Sequence, residues 1–406
     1  MQSRGRRRAP AGKSGGVFPF ARGRPRRKAG GVPIPLALST LCENPDRRTG
    51  LSTFFPAFVA QALTVFPDVH WLVFAGPDAP WPVDDPRVGV VRDFPANNRP
   101  WTRLRADHFC VGGAARGRGA AALLTVGFMP LRTAGLPVVM HAFVLPRGSG
   151  LRGLYRRWAV RRGCARAALV IANSRWAAAE LEKNHSLAPS RRLVSPEGLD
   201  HARFAPEGPP SERAETARAL GLPPRYLLWV SNFYAYKRAE LALAAYARLA
   251  PELRAEFPLV LAGGDWRGGL DRARAAAARL GVTAEVRFLG WIGDRWLPAL
   301  YRGARAHVLS TAEETFGKSV TEAMACGCPC VLQDLPVLRE VAEGAAEFVD
   351  FGRPERAASA LEKICRDDAH AAGLRAAGLA RAAEFGYEKL ARERVTAILA
   401  RLGGSA

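Results

Sequence analysis

Residues 306–334 read AHVLSTAEETFGKSVTEAMACGCPCVLQD, and the fold follows from how this stretch divides. AHVLST and PCVLQD are short apolar runs of strand length, and the segment between them predicts a helix from about Lys318 to Cys326. A strand, a helical crossover and a second strand form the unit from which parallel sheets are built. The turn before the helix passes through Phe316 and Gly317, so free backbone N–H groups and the positive end of the helix dipole face whatever lies beyond the strand. That is an anion site. Glu314 lies before the helix start and Glu322 about one turn inside it, so two carboxylates straddle the anion site by several ångströms at ~1.5 Å of rise per residue. Carboxylates accept hydrogen bonds from hydroxyls. A nucleotide sugar presents groups at that spacing: sugar hydroxyls, a diphosphate and a ribose diol. Taken alone, two acids at this spacing would be better described as the solvated face of an amphipathic helix.

Working outward, the same alternation recurs in two series. Upstream strands are expected at PIPLALS, WLVFAG, GVVRDF, ALLTVG, PVVMHAF and ALVIANS, with amphipathic helices such as Ser52 to Val65 and Leu151 to Arg166 between them. A second set follows in YLLWVS, PLVLAG, EVRFLG, AHVLST, PCVLQD and AEFVDF. Each set suffices for one doubly wound α/β domain. The segment SPEGLDHARFAPEGPPSE, rich in Pro, Gly and charge, separates them. The expected organisation is a basic tail at 1–32, a first Rossmann-like domain at 33–197, and a second Rossmann-like domain at 198–380, which the resemblance described below would make the acceptor-side and the nucleotide-sugar-binding domain. A last helix at 381–406 should return to the first domain. Two such domains face a central cleft, where ligands of this architecture bind. Beyond Ala357 the chain reads as helical to Leu402, with breaks expected at Gly373, Gly378 and Gly386.

Composition narrows the classes. At 406 residues, 48% hydrophobic and 24% charged, the chain is globular rather than disordered. Nearly half of the net charge of +22 lies in Met1 to Val32, where arginines and lysines run from Arg4 to Lys28 with no acidic residue. Such a segment is expected to be disordered, and is either a solvated tail or a contact for nucleic acid or membrane. It lacks the apolar stretch of a secretory signal. AGKSGG at Ala11 is not a phosphate loop, because Arg7 stands where that pattern needs glycine and no strand precedes it. Seven cysteines, odd in number and mostly scattered, fit a reducing cytosol. Cys326, Cys328 and Cys330 are too closely spaced for paired metal ligands and read as small buried residues. The Leu151 to Arg166 helix interleaves arginines with Leu151, Leu154, Tyr155 and Trp158, which suits either a solvated face or an anionic membrane surface.

The region from Glu313 to Gly327 resembles the Glu-x7-Glu region of glycosyltransferase family 4, retaining enzymes with the GT-B fold. Further similar stretches appear in the family's order. VRFLGWIGDRWLPALYRGARAHVLST resembles the run into the donor motif, VSNFYAYKRAELALAAY the first strand and helix of the donor domain, and VSPEGLDHARFAP the interdomain segment. ALVIANSRWAAAEL and PVVMHAFVLP resemble late strands of the acceptor domain, and RTGLSTFFPAFVAQAL its first glycine loop and helix.

The resemblance implies that Glu314 contacts the donor sugar, that Glu322 binds the ribose, and that backbone N–H groups around Phe316, Gly317 and Lys318 meet the diphosphate. Lys237 would neutralise that diphosphate. Asn232 stands where the family usually has a second cation, and Arg238 or Lys318 would replace it, Lys318 being better placed at the helix start. His141 would face the cleft and orient donor or acceptor. Implied with these are a nucleotide-sugar donor, a saccharide or lipid-linked acceptor, no metal and no other cofactor, and a cytoplasmic setting, with the inner face of the cell membrane as a place of peripheral attachment. A glycoside hydrolase using Glu314 and Glu322 would leave the anion site and its lysines unexplained. A nucleic-acid-binding protein would leave the Glu-x7-Glu arrangement unexplained.

Overall fold

The computed structural model describes residues 32–403 apart from 44–49, 96–97, 144, 147 and 149; the basic tail lies outside the described residues. Two sheets result, all of whose strand pairs are parallel. The first contains β1 (Ile34–Ser39), β2 (Val69–Phe74), β3 (Val88–Val91), β4 (Ala122–Val126), β5 (Val138–Ala142), β6 (Leu169–Ala172) and β7 (Arg192–Val194), in the order β3-β2-β1-β4-β5-β6-β7. The second contains β8 (Leu227–Val230), β9 (Leu259–Ala262), β10 (Val286–Gly290), β11 (Ala306–Leu309), β12 (Cys330–Gln333) and β13 (Glu347–Val349), in the order β10-β9-β8-β11-β12-β13. The strand order reverses between β1 and β4 and again between β8 and β11, which opens a crevice at the carboxyl ends of each pair.

Both faces of each sheet are covered, and this is why the strands read as apolar runs rather than as alternating patterns. In the first sheet Leu36, Leu38 and Val73 share a core with Phe54, Phe55 and Phe58 of the helix Gly50–Val65. Ala37, Leu72 and Phe74 point the other way, onto Ala106, Val111 and Leu136. The last helix, Tyr387–Gly403, packs on the helix Gly50–Val65 and on β6, placing Leu390, Val395 and Ile398 in the core of the first sheet.

The chain therefore passes between the two layers twice, after β7 and before this last helix. The two passages touch: Leu199 N–H donates to the carbonyl of Phe385 at 2.7 Å, and Leu199 and Gly386 form an isolated parallel bridge. Gly198 lies against the Tyr387 ring, where a Cβ would stand 2.4 Å from a ring carbon. Only glycine fits there.

Two features differ from the sequence reading. The first sheet has a seventh strand, β7, only three residues long and opening on an exposed arginine, which left no apolar run to recognise. Gly373 and Gly378 do not break a helix; Asp368–Ala382 runs through both. The break falls at Asp367, whose side chain accepts from His370 N–H at 2.8 Å and so starts the next helix. Gly378 instead allows close packing, since a Cβ there would lie 3.3 Å from Met324 Cγ on the helix Lys318–Ala325.

Candidate functional site

The crevice between β8 and β11 is floored by residues that follow those two strands. Ser310, just past β11, donates through its hydroxyl to the Arg238 carbonyl at 2.8 Å, and Ala312 N–H donates to the Tyr236 carbonyl at 2.7 Å, so the loop after one strand is tied to the loop after the other. Gly317 then adopts φ 99°, a left-handed conformation that glycine takes without cost, and a Cβ would come within 2.9 Å of Leu338. The helix Lys318–Ala325 begins there with no side-chain cap. In its first turn the N–H groups of Val320 and Thr321 donate to the Gly317 carbonyl at 2.9 and 3.4 Å, and the helix start is where the sequence reading expects an anion to be met.

Lys237 and Glu314 meet in this crevice as a direct ion pair, both side chains only 13% exposed. Lys237 ends a short 3-10 turn, Ala235–Lys237, with its ammonium 5.3 Å from the centre of the Tyr236 ring. Arg238 follows in a left-handed conformation at φ 48° with its side chain exposed. Glu322, one turn into the helix, is nearly buried, and the Tyr301 hydroxyl donates to it at 3.4 Å. Burial holds its carboxyl above the usual range, while Lys318 and Arg203 pull the other way.

Three other predicted residues have different partners from those the sequence suggests. Asn232 binds protein: its Oδ1 accepts from Gly264 N–H at 2.9 Å, fastening the glycine loop after β9 to the loop after β8. Lys318 reaches across to the first layer, donating to the Thr53 hydroxyl at 2.8 Å. His141 does not face the cleft. It is fully buried, packed against Phe55, Phe58 and Phe143, because it lies within β5 on the side covered by the helix Gly50–Val65. Its Nδ1 accepts from Arg394 Nη1 at 3.3 Å, and its Nε2 is without a partner among the described residues. Burial, and then the Arg394 charge, hold this imidazole well below its usual pKa, in the neutral form.

The structure adds residues that sequence reasoning missed. Asn173, just past β6, donates to Glu197 at 3.0 Å and to the Thr315 hydroxyl at 3.2 Å. Thr315 in turn donates to the Phe143 carbonyl at 2.6 Å and accepts, through its own carbonyl, from Ser174 at 2.8 Å. The residue after Glu314 is thus held by the first layer. Glu340 reaches the same layer, accepting from the backbone N–H groups of Arg175 and Trp176 at 2.6 and 2.8 Å, at the start of the helix Arg175–His185. Burial raises the Glu197 carboxyl, opposed chiefly by Lys318. Arg394, in the last helix, is fully buried and donates to the carbonyls of Ser195 and Pro196 at 2.8 and 2.9 Å. A cavity of about 360 Å³ lies beside this network, between Asn173, Arg175, Phe316, Glu340, Arg381 and Lys389, and does not include Lys237 or Glu322.

Among the described residues no three His, Cys, Asp or Glu side chains stand close enough to share a metal ion. Cys326, Cys328 and Cys330 are buried in the core of the second layer, and burial pushes the Cys326 thiol up to about 12.

Residues 212–381 match the family described as Glycosyl transferases group 1. A D-inositol 3-phosphate glycosyltransferase of Salinispora arenicola (strain CNS-205) is 32% identical over 239 residues, 55% of this chain and 53% of that protein. The O-antigen chain mannosyltransferase B of Escherichia coli is 31% identical over 173 residues, 42% of this chain and 45% of that protein. The chain spans about half the length of the curated relatives it matches. Among solved structures, a sucrose-phosphate synthase from Thermosynechococcus elongatus superposes with a TM-score of 0.75 at 20% identity, over 92% of this chain and 100% of that one. The Anabaena protein HepE in complex with UDP and glucose gives 0.71 at 18% identity, over 90% and 100%. The fold is GT-B, two Rossmann-like domains, as the sequence predicts.

Proposed function

We propose that the chain is a retaining, metal-independent glycosyltransferase of family 4. It moves a sugar from a UDP or GDP donor to a hydroxyl of a saccharide or lipid-linked acceptor, in the synthesis of envelope polysaccharide or glycolipid. The observation that carries this reading is the contact between Lys237 and Glu314 beside the uncapped start of the helix Lys318–Ala325, with Glu322 one turn deeper. The group 1 match over residues 212–381 supports it, as do relatives named for inositol phosphate and O-antigen glycosylation.

On binding, the diphosphate meets the helix N–H groups and draws the Lys237 ammonium, Glu314 turns to the sugar hydroxyls, and Glu322 takes the ribose diol. In the transfer the C1–O bond to the diphosphate breaks and its electron pair leaves with the phosphate oxygen. The acceptor oxygen bonds to C1 from the same face and its proton passes to the departing diphosphate. Charge grows on that diphosphate, so the fixed N–H dipoles and Lys237 stabilise the transition state more than the bound donor. No protein nucleophile is needed. Lys318, tied to Thr53, contributes its charge from the acceptor side of the cleft.

Thermal shift against UDP, GDP, ADP and CMP should single out one diphosphate, because a ligand that binds only the folded state raises its apparent stability. NMR of the product formed with the matched sugar donor should then show the donor's anomeric configuration, in EDTA as well as in buffer. Inversion, or activity abolished by EDTA and restored by metal, would overturn the mechanism; no shift with any nucleotide would overturn the function.

A further inference from the structure

Glu314 lies on a loop whose neighbouring residues are fastened to different domains. On one side the Thr311 hydroxyl donates to the Glu313 carbonyl at 2.8 Å and accepts from Glu313 N–H at 3.3 Å, which ties Glu313 to its own sheet. Further along, Phe316 is buried in the core of the second layer and meets the Phe385 ring edge-on at 5.5 Å. Between these anchors stands Thr315, whose hydroxyl and carbonyl are both bonded to the first domain.

The partners of Thr315 stand at the carboxyl edge of the first sheet. β5 and β6 are neighbours with Ala142 opposite Ala172, so the residues that follow, Phe143 and Asn173, emerge side by side. One presents a carbonyl and the other a side-chain amide. A hydroxyl is donor and acceptor in a single atom, and Thr315 uses both capacities. It donates to the Phe143 carbonyl at 2.6 Å and accepts from Asn173 Nδ2 at 3.2 Å. Asn173 is buried and its amide is steadied by Glu197 at 3.0 Å. The Thr315 carbonyl accepts from Ser174 at 2.8 Å, and Ser174 is itself fixed as the cap of the helix Arg175–His185, where it accepts from Ala177 N–H at 3.0 Å. The second domain grips this helix start again through Glu340, which takes the Arg175 and Trp176 N–H groups that the helix cannot satisfy internally.

The proposed nucleotide contacts are anchored differently. Glu322 lies inside the helix Lys318–Ala325 beside Tyr301, and Lys237 ends a turn after β8, so both are placed by the second domain. Glu314 is the carboxylate whose backbone runs directly into the junction. We propose that Thr315 is a positioning residue: the first domain, acting through the Phe143 carbonyl, Asn173 and Ser174, sets where Glu314 stands. Sugar transfer then depends on this junction, whereas nucleotide binding does not. The inference rests on the function proposed above for Glu314.

The test uses the full chain and two variants. Thr315→Val keeps the shape of the side chain and removes its hydroxyl, and Thr315→Ser keeps the hydroxyl. Turnover is read as release of nucleoside diphosphate from UDP-glucose or GDP-mannose, whichever the parent uses. Thr315→Val should lower kcat at saturating donor by about tenfold or more, since a misplacement of ~1 Å can cost ~100-fold. Its affinity for free UDP or GDP in calorimetric titration should stay within about twofold of the parent. Thr315→Ser should recover most of the lost turnover. Hydrogen exchange, which needs no substrate, should be faster at residues 312–317 in Thr315→Val than in the parent or Thr315→Ser, and unchanged in β8 and β11. Parent-like turnover in Thr315→Val, or a diphosphate affinity that falls together with turnover, would overturn the positioning role. A parent that neither binds these nucleotides nor turns over these donors would remove the proposed reaction and leave exchange to decide. Faster exchange in Thr315→Val would then uphold the hold of the first domain on Glu314, and unchanged exchange would overturn it.

Discussion

Arg394 is the most consequential side chain that the sequence did not mark. It donates to Ser195 Oγ at 3.2 Å, to the carbonyls of Ser195 and Pro196, and to His141 Nδ1, and it packs over the Phe54 ring at 4.9 Å. No carboxylate forms an ion pair with it among the described residues, and burial lowers its pKa to about 10. Methionine would preserve most of the volume and remove every donor. The buried Ser195 carbonyl and the half-buried Pro196 carbonyl then lose their partners at up to ~1–3 kcal/mol each, while relief of a desolvated guanidinium returns part of that. The expected net loss is ~2–4 kcal/mol. Arg394→Lys keeps the charge but lacks the planar fork that spans both carbonyls and the imidazole, so it should fall between methionine and the parent. Urea denaturation with fluorescence detection reads the loss as a lower midpoint. Hydrogen exchange should show faster opening at residues 193–199 and 387–398 before it appears in the second sheet. A methionine variant with the parent's midpoint and exchange pattern would refute this reasoning, and would mean that packing alone holds the last helix.

Three further outcomes follow from the donor site. Glu322→Ala should weaken UDP or GDP binding by roughly tenfold or more in calorimetric titration, since a hydrogen bond to a charged group is worth ~1.5–3 kcal/mol; unchanged affinity would place the ribose elsewhere. Lys237→Ala should chiefly lower kcat at saturating donor, because charge builds on the diphosphate in the transition state; a change confined to KM would contradict that role. The Glu322 carboxyl has a folded pKa raised by burial above its ordinary value of 4.5. The folded state therefore binds more protons than the unfolded one as pH climbs from that ordinary value through the raised one, so this contribution to stability is present in acid and lost across that window. Thermal midpoints of the ligand-free parent and of Glu322→Gln should diverge as pH rises through it; parallel profiles would show that Glu322 is not buried as described.

Much of the fold is legible because both sheets are covered on both faces, which turns each core strand into a short apolar run. β7 escaped because Arg192, Leu193 and Val194 are too few and too polar at the start to form such a run. The breaks expected at Gly373 and Gly378 were misplaced because a glycine in a helix can mark close packing as well as a stop, and only the position of Met324 distinguishes the two at Gly378. At the site, Lys237, Glu314 and Glu322 were legible because they lie near strand ends that the pattern locates. The partners of Asn232, Lys318 and His141 were not. Each is set by a residue distant in the chain: Gly264, Thr53 and Arg394. Within ARERVTAILAR, Arg394 looks like one more charge on a solvated helix face, and nothing local tells it from its neighbours.

The two passages between the layers, joined at Leu199, Phe385 and Gly386, have a mechanical consequence. Because the two passages lie side by side at this bridge, neither can change direction without displacing the other. Any change in the angle between the two sheets has to be absorbed at both together, and it would part the contacts of Thr315, Lys318 and Glu340 with the first layer.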